Sequence, residues 1–72
     1  MSKFANLEKL TAAMGHGHMG IEALEELKTL GVGSFTRLAI SRGLSPSVGV
    51  AAKAEFIELM DGMRALLAPA RG

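Results

Sequence analysis

The stretch that decides the fold covers residues 34–54 and reads SFTRLAISRGLSPSVGVAAKA. Gly43 can end a helix in a left-handed conformation, with Leu44 folding back onto the preceding turn. Ser45 and Pro46 then favour the start of another helix, because serine is a good N-cap and proline at the first helical position has no N–H to leave unpaired. The helix would begin one turn later if Ser47 were the cap. The stretch therefore predicts a short helix, a tight turn and a longer helix.

Apolar residues recur at helical spacing on both sides of this stretch. They predict an all-α fold, a small bundle of four short helices with a helix-turn-helix-like corner between the third and the fourth. The fourth helix is expected to be the central pillar. The predicted helices cover residues 3–14, 21–30, 34–42 and 46–68. We expect a single domain over 1–68 and a flexible C-terminal tail over 69–72.

Helix ends and inward faces can be predicted from residue type. Ser2 or Asn6 is expected to cap the first helix and Ser34 the third, while Gly15 and Gly31 are expected to stop the first and second. The residues predicted to form the inward stripes are Phe4, Leu7, Leu10, Met14, Ile21, Leu24, Leu27, Leu30, Phe35, Leu38, Ala39, Ala52, Phe56, Leu59, Met60, Met63, Leu66 and Leu67.

Length and composition limit the kind of protein this is. The 72 residues include no cysteine, so neither a disulfide nor a thiolate metal site supports the fold. A core of this size supplies only about 3–5 kcal/mol of net stability, which favours a working state bound to a partner or to a second copy. No apolar run is long enough to span a bilayer, and no signal peptide is evident. We therefore expect a soluble, cytoplasmic protein that does not bind membranes.

Catalytic and metal-binding patterns are sparse. The two histidines, His16 and His18, lie in a glycine-rich loop, and the seven carboxylates are spread over helix surfaces. A domain this small also leaves little room for a cavity of about 300–1,000 Å³. The prediction is a protein that is not an enzyme and has no cofactor. Metal binding by His16 and His18, with Glu22 as a third ligand, is a minor alternative.

Part of the deciding stretch resembles a known DNA-binding motif. The order Ala39, Gly43, Leu44 resembles the core of helix-turn-helix segments, in which a small residue lets the helices approach and glycine makes the turn. The sequence departs from that pattern at Gly49 and Lys53, where apolar residues are usual. Residues 27–33, with their Gly–Val–Gly turn, are similar to the hairpin of helix-hairpin-helix proteins that bind DNA backbones. Both resemblances imply DNA binding, the first by a dimeric transcriptional regulator.

The residues of this stretch support two binding functions. The stretch over residues 34–54 contains no acidic residue, and its positively charged residues are Arg37, Arg42 and Lys53. The main hypothesis is a small regulatory protein that binds a larger protein, such as a component of the gene-expression machinery, with Leu44 and Val48 as an apolar anchor. The alternative is DNA binding by the same segment, for which the second helix offers only Ser47 and Lys53 to bases or phosphates.

Apolar residues in excess of what four short helices can bury also indicate a binding role. The alternative use of this apolar surface is a homodimer formed through the fourth helix. The residues predicted to be exposed are Met19, Val32, Leu44, Val48, Val50 and Met63.

Overall fold

The structure is a computed structural model that describes residues 3–67, without the side chains of residues 66 and 67. Within that range it has four α-helices and no strand, so the predicted all-α class is confirmed. The helices are α1 (Ala5–Ala13), α2 (Ile21–Leu30), α3 (Phe35–Ser41) and α4 (Pro46–Leu67), with a 3₁₀ turn over Val32–Ser34. The predicted helix end at residue 68, the tail over 69–72 and the candidate cap Ser2 lie outside the described residues.

The turn between α3 and α4 is a complete Schellman stop. Gly43 has φ 79°. The Leu44 N–H donates to the Ala39 carbonyl at 2.9 Å, and the Gly43 N–H donates to the Ile40 carbonyl at 3.1 Å. These are the two reversed hydrogen bonds that define the motif. The predicted stop at Gly43 with Leu44 folded back is therefore confirmed.

Two other glycines end helices as predicted. Gly15 has φ 100°, and the N–H groups of Gly15 and His16 donate to the carbonyls of Ala12 and Thr11, which repeats the Schellman pattern. Gly31 has φ 88° and ends α2. Both positions hold the chain in a backbone conformation that other residues adopt only with strain.

The start of α4 is capped by Ser45, as predicted. Its hydroxyl accepts the N–H of Ser47 at 3.2 Å, and Pro46 is the first helical residue. Ser45→Ala is expected to destabilise the protein by about 1 kcal/mol, because the Ser47 N–H loses its partner. Ser41→Ala is the control: the Ser41 hydroxyl donates to the Leu38 carbonyl on an exposed helix surface, so we expect a change within about 0.5 kcal/mol. Equal effects in urea unfolding would contradict the cap.

The predicted cap at Asn6 is wrong, and Ser34 takes the predicted N-cap position of α3 but makes no side-chain cap hydrogen bond. The Asn6 side-chain amide donates to Glu55 in α4, and α1 has no side-chain cap of its own. Ser34 precedes α3, but its hydroxyl donates backwards, to the carbonyls of Leu30 at 3.1 Å and Gly31 at 2.8 Å. The 3₁₀ turn points Ser34 towards the end of α2, so it satisfies carbonyls there and accepts nothing from α3.

The core forms where α4 packs against α1 and α3, so the expected role of the fourth helix as central pillar is correct. Two aromatic rings meet at its centre: Phe35 and Phe56 lie edge to face, with centroids 5.4 Å apart and an interplanar angle of 73°. Leu27 of α2 reaches the same cluster. The buried apolar residues of the cluster are Leu7, Leu10, Leu27, Phe35, Ala39, Ala52 and Phe56.

The predicted stripe of α2 is wrong at both ends. Ile21 is 64% exposed and Leu30 is 47% exposed, whereas Ala23 is buried. Ile21 lies about 160° around the helix from Ala23, so the two cannot face the same core. Leu30 lies on the same side as Ala23 and Leu27, but at the end of α2.

At Gly49, α4 approaches α3 so closely that only glycine fits. An ideal Cβ built on Gly49 would lie 2.5 Å from the Thr36 Cα and 2.7 Å from the Phe35 carbonyl oxygen. Gly49 is buried within the first turns of α4, against the start of α3. A residue that departs from the helix-turn-helix pattern therefore sets the distance between the two helices.

No helix in the part of the chain that the structure describes is long and apolar enough to cross a membrane.

Candidate partner-binding surface

The three cations of the deciding stretch all reach the surface. Arg37 lies on α3, Arg42 at its C-terminal end and Lys53 on α4; each is exposed and forms no ion pair with another described residue. No carboxylate occurs between residues 34 and 54 to neutralise them locally. Their charges are therefore available to a partner.

The other predicted contact residues differ in accessibility. Ser47 is exposed, and its hydroxyl is hydrogen-bonded to that of Ser45. Leu44 and Val48 are half-buried, and Leu44 packs against the core because the Schellman turn folds it inward. The apolar anchor predicted at Leu44 and Val48 is thus only partly accessible.

An apolar groove lies between the end of α2 and α3. It is open to solvent, has a volume of about 280 Å³ and is lined by Leu30, Ser34, Arg37, Leu38 and Ser41. The α3 residues of this wall recur at helical spacing, so they share one face, and Leu30 enters from α2. The groove brings Arg37 together with apolar side chains from two helices. The sequence did not indicate this, because Leu30 was predicted to be buried.

The exposed apolar residues are mostly not the predicted ones. Of the six candidates, Val50 is 61% exposed and the other five are half-buried. The large apolar side chains that the prediction missed are Ile21, Leu30, Ile40 and Ile57. Ile57 follows Val50 by seven residues, so both lie on the same face of α4, opposite the buried residues. Helical spacing alone could have identified that pair.

The glycine–histidine loop is attached to α2 by one of its two histidines. The His16 Nε2 lies 2.9 Å from the Glu26 Oε1 on α2, while His18 is exposed. Two open cavities of about 500 and 460 Å³ share the loop as a wall, so the expectation that the domain lacks room for such cavities is wrong. Between residues 3 and 67, no group of three or more His, Cys, Asp or Glu side chains is placed to hold a metal ion.

The corner between α3 and α4 has the order of elements expected for a helix-turn-helix, but its assignment to that motif stays a prediction. The outward residues at the start of α4 are Pro46, Ser47, Val50, Lys53 and Ala54. Comparisons with family models, curated proteins and solved structures found no match to this chain.

Proposed function

We propose that the protein is a small non-enzymatic binding module that docks onto a larger protein through the groove between α2 and α3. The observation that supports this most directly is the presence of Arg37, free of ion pairs with described residues, on the wall of an apolar groove of about 280 Å³. A regulatory role, such as control of gene expression, is the biological setting that the helix-turn-helix resemblance suggests.

The groove and its rim define the chemistry of the partner. Leu30 and Leu38 offer apolar contact, and the Arg37 guanidinium offers a planar fork that matches a carboxylate in bidentate fashion. Arg42 adds a second positive charge beside the same helix. The partner segment therefore carries an acidic side chain next to an apolar one. Arginine is one of the residue types enriched at the centre of protein interfaces.

DNA binding is the second candidate, and the three exposed unpaired cations favour it. Three charges supply little of the phosphate neutralisation on which DNA affinity depends. The outward start of α4 carries Val50 and Ala54 where a reading helix needs Arg, Asn, Gln or Lys. An apolar groove also has no counterpart on a phosphate backbone. These features make a protein surface the better partner.

Site-specific cross-linking tests the first candidate. A photoreactive amino acid at Ser41, on the groove rim, is expected to capture one protein in the organism that encodes the chain, and the same group at Lys9 on α1 is not. Arg37→Glu is expected to weaken binding of that protein by at least about tenfold. Lys9→Glu makes the same charge change on an exposed site outside the groove and should leave affinity unchanged. Equal loss in both variants would contradict the groove.

A mobility shift with duplex DNA at low and moderate salt tests the second candidate. A phosphate-contacting protein loses affinity steeply as salt rises, with a slope set by the number of contacts. We expect no shift at either salt concentration. A salt-sensitive shift that is abolished by Arg37→Glu plus Arg42→Glu would show that the partner is DNA and would contradict the protein partner.

A further inference from the structure

Exposed residues on the outward face of α4 recur at a regular spacing. Neither the packing of α4 in the core nor the groove between α2 and α3 accounts for it. Ser47, Val50, Ala54 and Ile57 are all exposed and follow one another at intervals of three, four and three residues. That spacing is the a/d pattern of a coiled coil, with Val50 and Ile57 at d positions and Ala54 between them at a. Val50 is 61% and Ile57 43% exposed. The face is therefore a short apolar seam on the side of α4 away from the core.

Charged side chains flank this seam with opposite signs. With Val50 and Ile57 at d, Lys53 falls at a g position and Glu58 at the following e position. Lys53 forms no ion pair with another described residue. Glu58 contacts Lys3 at 2.6 Å, but both side chains are more than half exposed, so this pair contributes little and can exchange. One edge of the seam is therefore basic and the other acidic.

We propose that the outward face of α4 pairs with the same face of a second copy of the chain, parallel and in register. In a parallel pair, a g residue faces the e residue five positions later on the other helix. Lys53 of each copy then lies beside Glu58 of the other, which gives two complementary pairs around a two-fold axis. In an antiparallel pair, g edges meet g edges and e edges meet e edges, so Lys53 and Glu58 would lose these partners.

The extent of the seam predicts a weak dimer. Ala54 is small and lets the two helices approach closely between Val50 and Ile57. The next two seam positions are Asp61 and Arg64, which are charged and exposed, so close packing ends one turn after Ile57. Two turns of helix bury less area than a stable interface requires. The surface is separate from the groove between α2 and α3, so a dimer leaves that groove free.

Sedimentation equilibrium from micromolar to millimolar concentration tests the dimer. Wild-type protein is expected to shift from monomer to dimer across that range. Ile57→Asp is expected to raise the dimer Kd by at least about tenfold, because two carboxylates would meet in the seam. Ile40→Asp, at a 54% exposed isoleucine on α3, is the matched control and should dimerise as wild type. Circular dichroism checks that both variants fold.

The charge pattern has its own test. Lys53→Glu and Glu58→Lys are each expected to raise the Kd about fivefold, whereas an equimolar mixture of the two is expected to form heterodimers at least as tight as wild type. Homodimers as tight as wild type in either variant, or no gain on mixing, would overturn the parallel arrangement. Wild-type protein that remains monomeric at millimolar concentration would overturn the proposal itself.

Cysteine cross-linking establishes the orientation independently, since the chain has no native cysteine. In the parallel pair, Val50→Cys and Ile57→Cys each place two thiols side by side, so both variants form disulfide dimers on oxidation. An antiparallel pair can centre on only one of the two sites and leaves the other pair about 20 Å apart along the helix, beyond disulfide reach. Efficient cross-linking at one site alone would overturn the parallel register.

Discussion

Gly49→Ala is expected to lower the free energy of unfolding by about 2 kcal/mol, although alanine is the better helix former. The added Cβ would lie 2.5 Å from the Thr36 Cα, 2.7 Å from the Phe35 carbonyl oxygen and 2.9 Å from the Thr36 N. All three are backbone atoms, so no side-chain rotation can relieve the contact. The start of α3 must move away from α4, which opens the packing around Phe35. For a domain with about 3–5 kcal/mol of stability, that is a large fraction.

Gly62→Ala is the matched control for this prediction. Gly62 lies in the same helix, is exposed, and has no atom within 4 Å of an added Cβ. Alanine there is expected to stabilise the protein by about 0.5–1 kcal/mol through helix propensity alone. Urea unfolding of the two variants should therefore give changes of opposite sign with similar m values. A Gly49→Ala variant as stable as Gly62→Ala would show that the helices do not approach as closely as described.

Gly49→Ala also tests whether the position of α3 determines the shape of the proposed groove. Arg37 and Leu38 follow directly after the residues that Gly49 contacts, so a displaced α3 changes the shape of the groove that they line. Partner affinity is therefore expected to fall in Gly49→Ala even under conditions where the variant remains folded. Gly62→Ala should leave affinity unchanged.

The features that could be predicted from the sequence are those determined by residues within a single helix or its adjoining turn. The Schellman stop at Gly43 and the Ser45 cap involve residues at most five positions apart, so residue type alone indicates them. The inward faces of α1, α3 and the first half of α4 follow from helical spacing. The exposure of Arg37, Arg42 and Lys53 is likewise what charged residues on short helices are expected to show.

Features that could not be predicted depend on which helices meet. Gly49 reads as a weak helix start, and only the approach of α3 gives it a packing role. Leu30 fits an inward stripe, but it lies at the end of α2 and contributes to the groove with α3. His16 pairs with Glu26, ten residues away, whereas the carboxylate named beside the histidines in the metal alternative was Glu22. Each of these outcomes rests on contacts between elements, which residue spacing within a helix does not encode.

Substitution of Glu55 is expected to cause the second large loss of stability, because this α4 residue caps the start of α1. The first turn of α1 has no side-chain cap of its own. The Glu55 carboxylate accepts the Leu7 N–H at 2.8 Å through one oxygen and the Asn6 side-chain amide at 2.9 Å through the other. Leu7 is the third residue of α1, so its N–H is one of those that an N-cap normally satisfies. The negative charge also lies at the positive end of the helix dipole.

Glu55→Ala is therefore expected to destabilise the protein by about 1–3 kcal/mol, since a half-buried backbone N–H and an amide lose a charged acceptor together. Glu55→Gln keeps one acceptor oxygen but places an NH₂ group against the other donor, so we expect an intermediate loss. Glu58→Gln, three residues further along α4, removes only the exposed contact with Lys3 and should change stability by less than about 0.5 kcal/mol.

Urea unfolding in dilute solution measures all three variants, and amide hydrogen exchange shows where the effect lies. Faster exchange is expected in α1 for Glu55→Ala, because that helix loses its attachment to α4 at its first turn. A double-mutant cycle with Asn6→Ala separates the amide contact from the backbone contact: the coupling energy belongs to Asn6, and the remainder belongs to the Leu7 N–H. If Glu55→Ala cost no more than Glu58→Gln, the cap from α4 would not contribute to holding α1 in place.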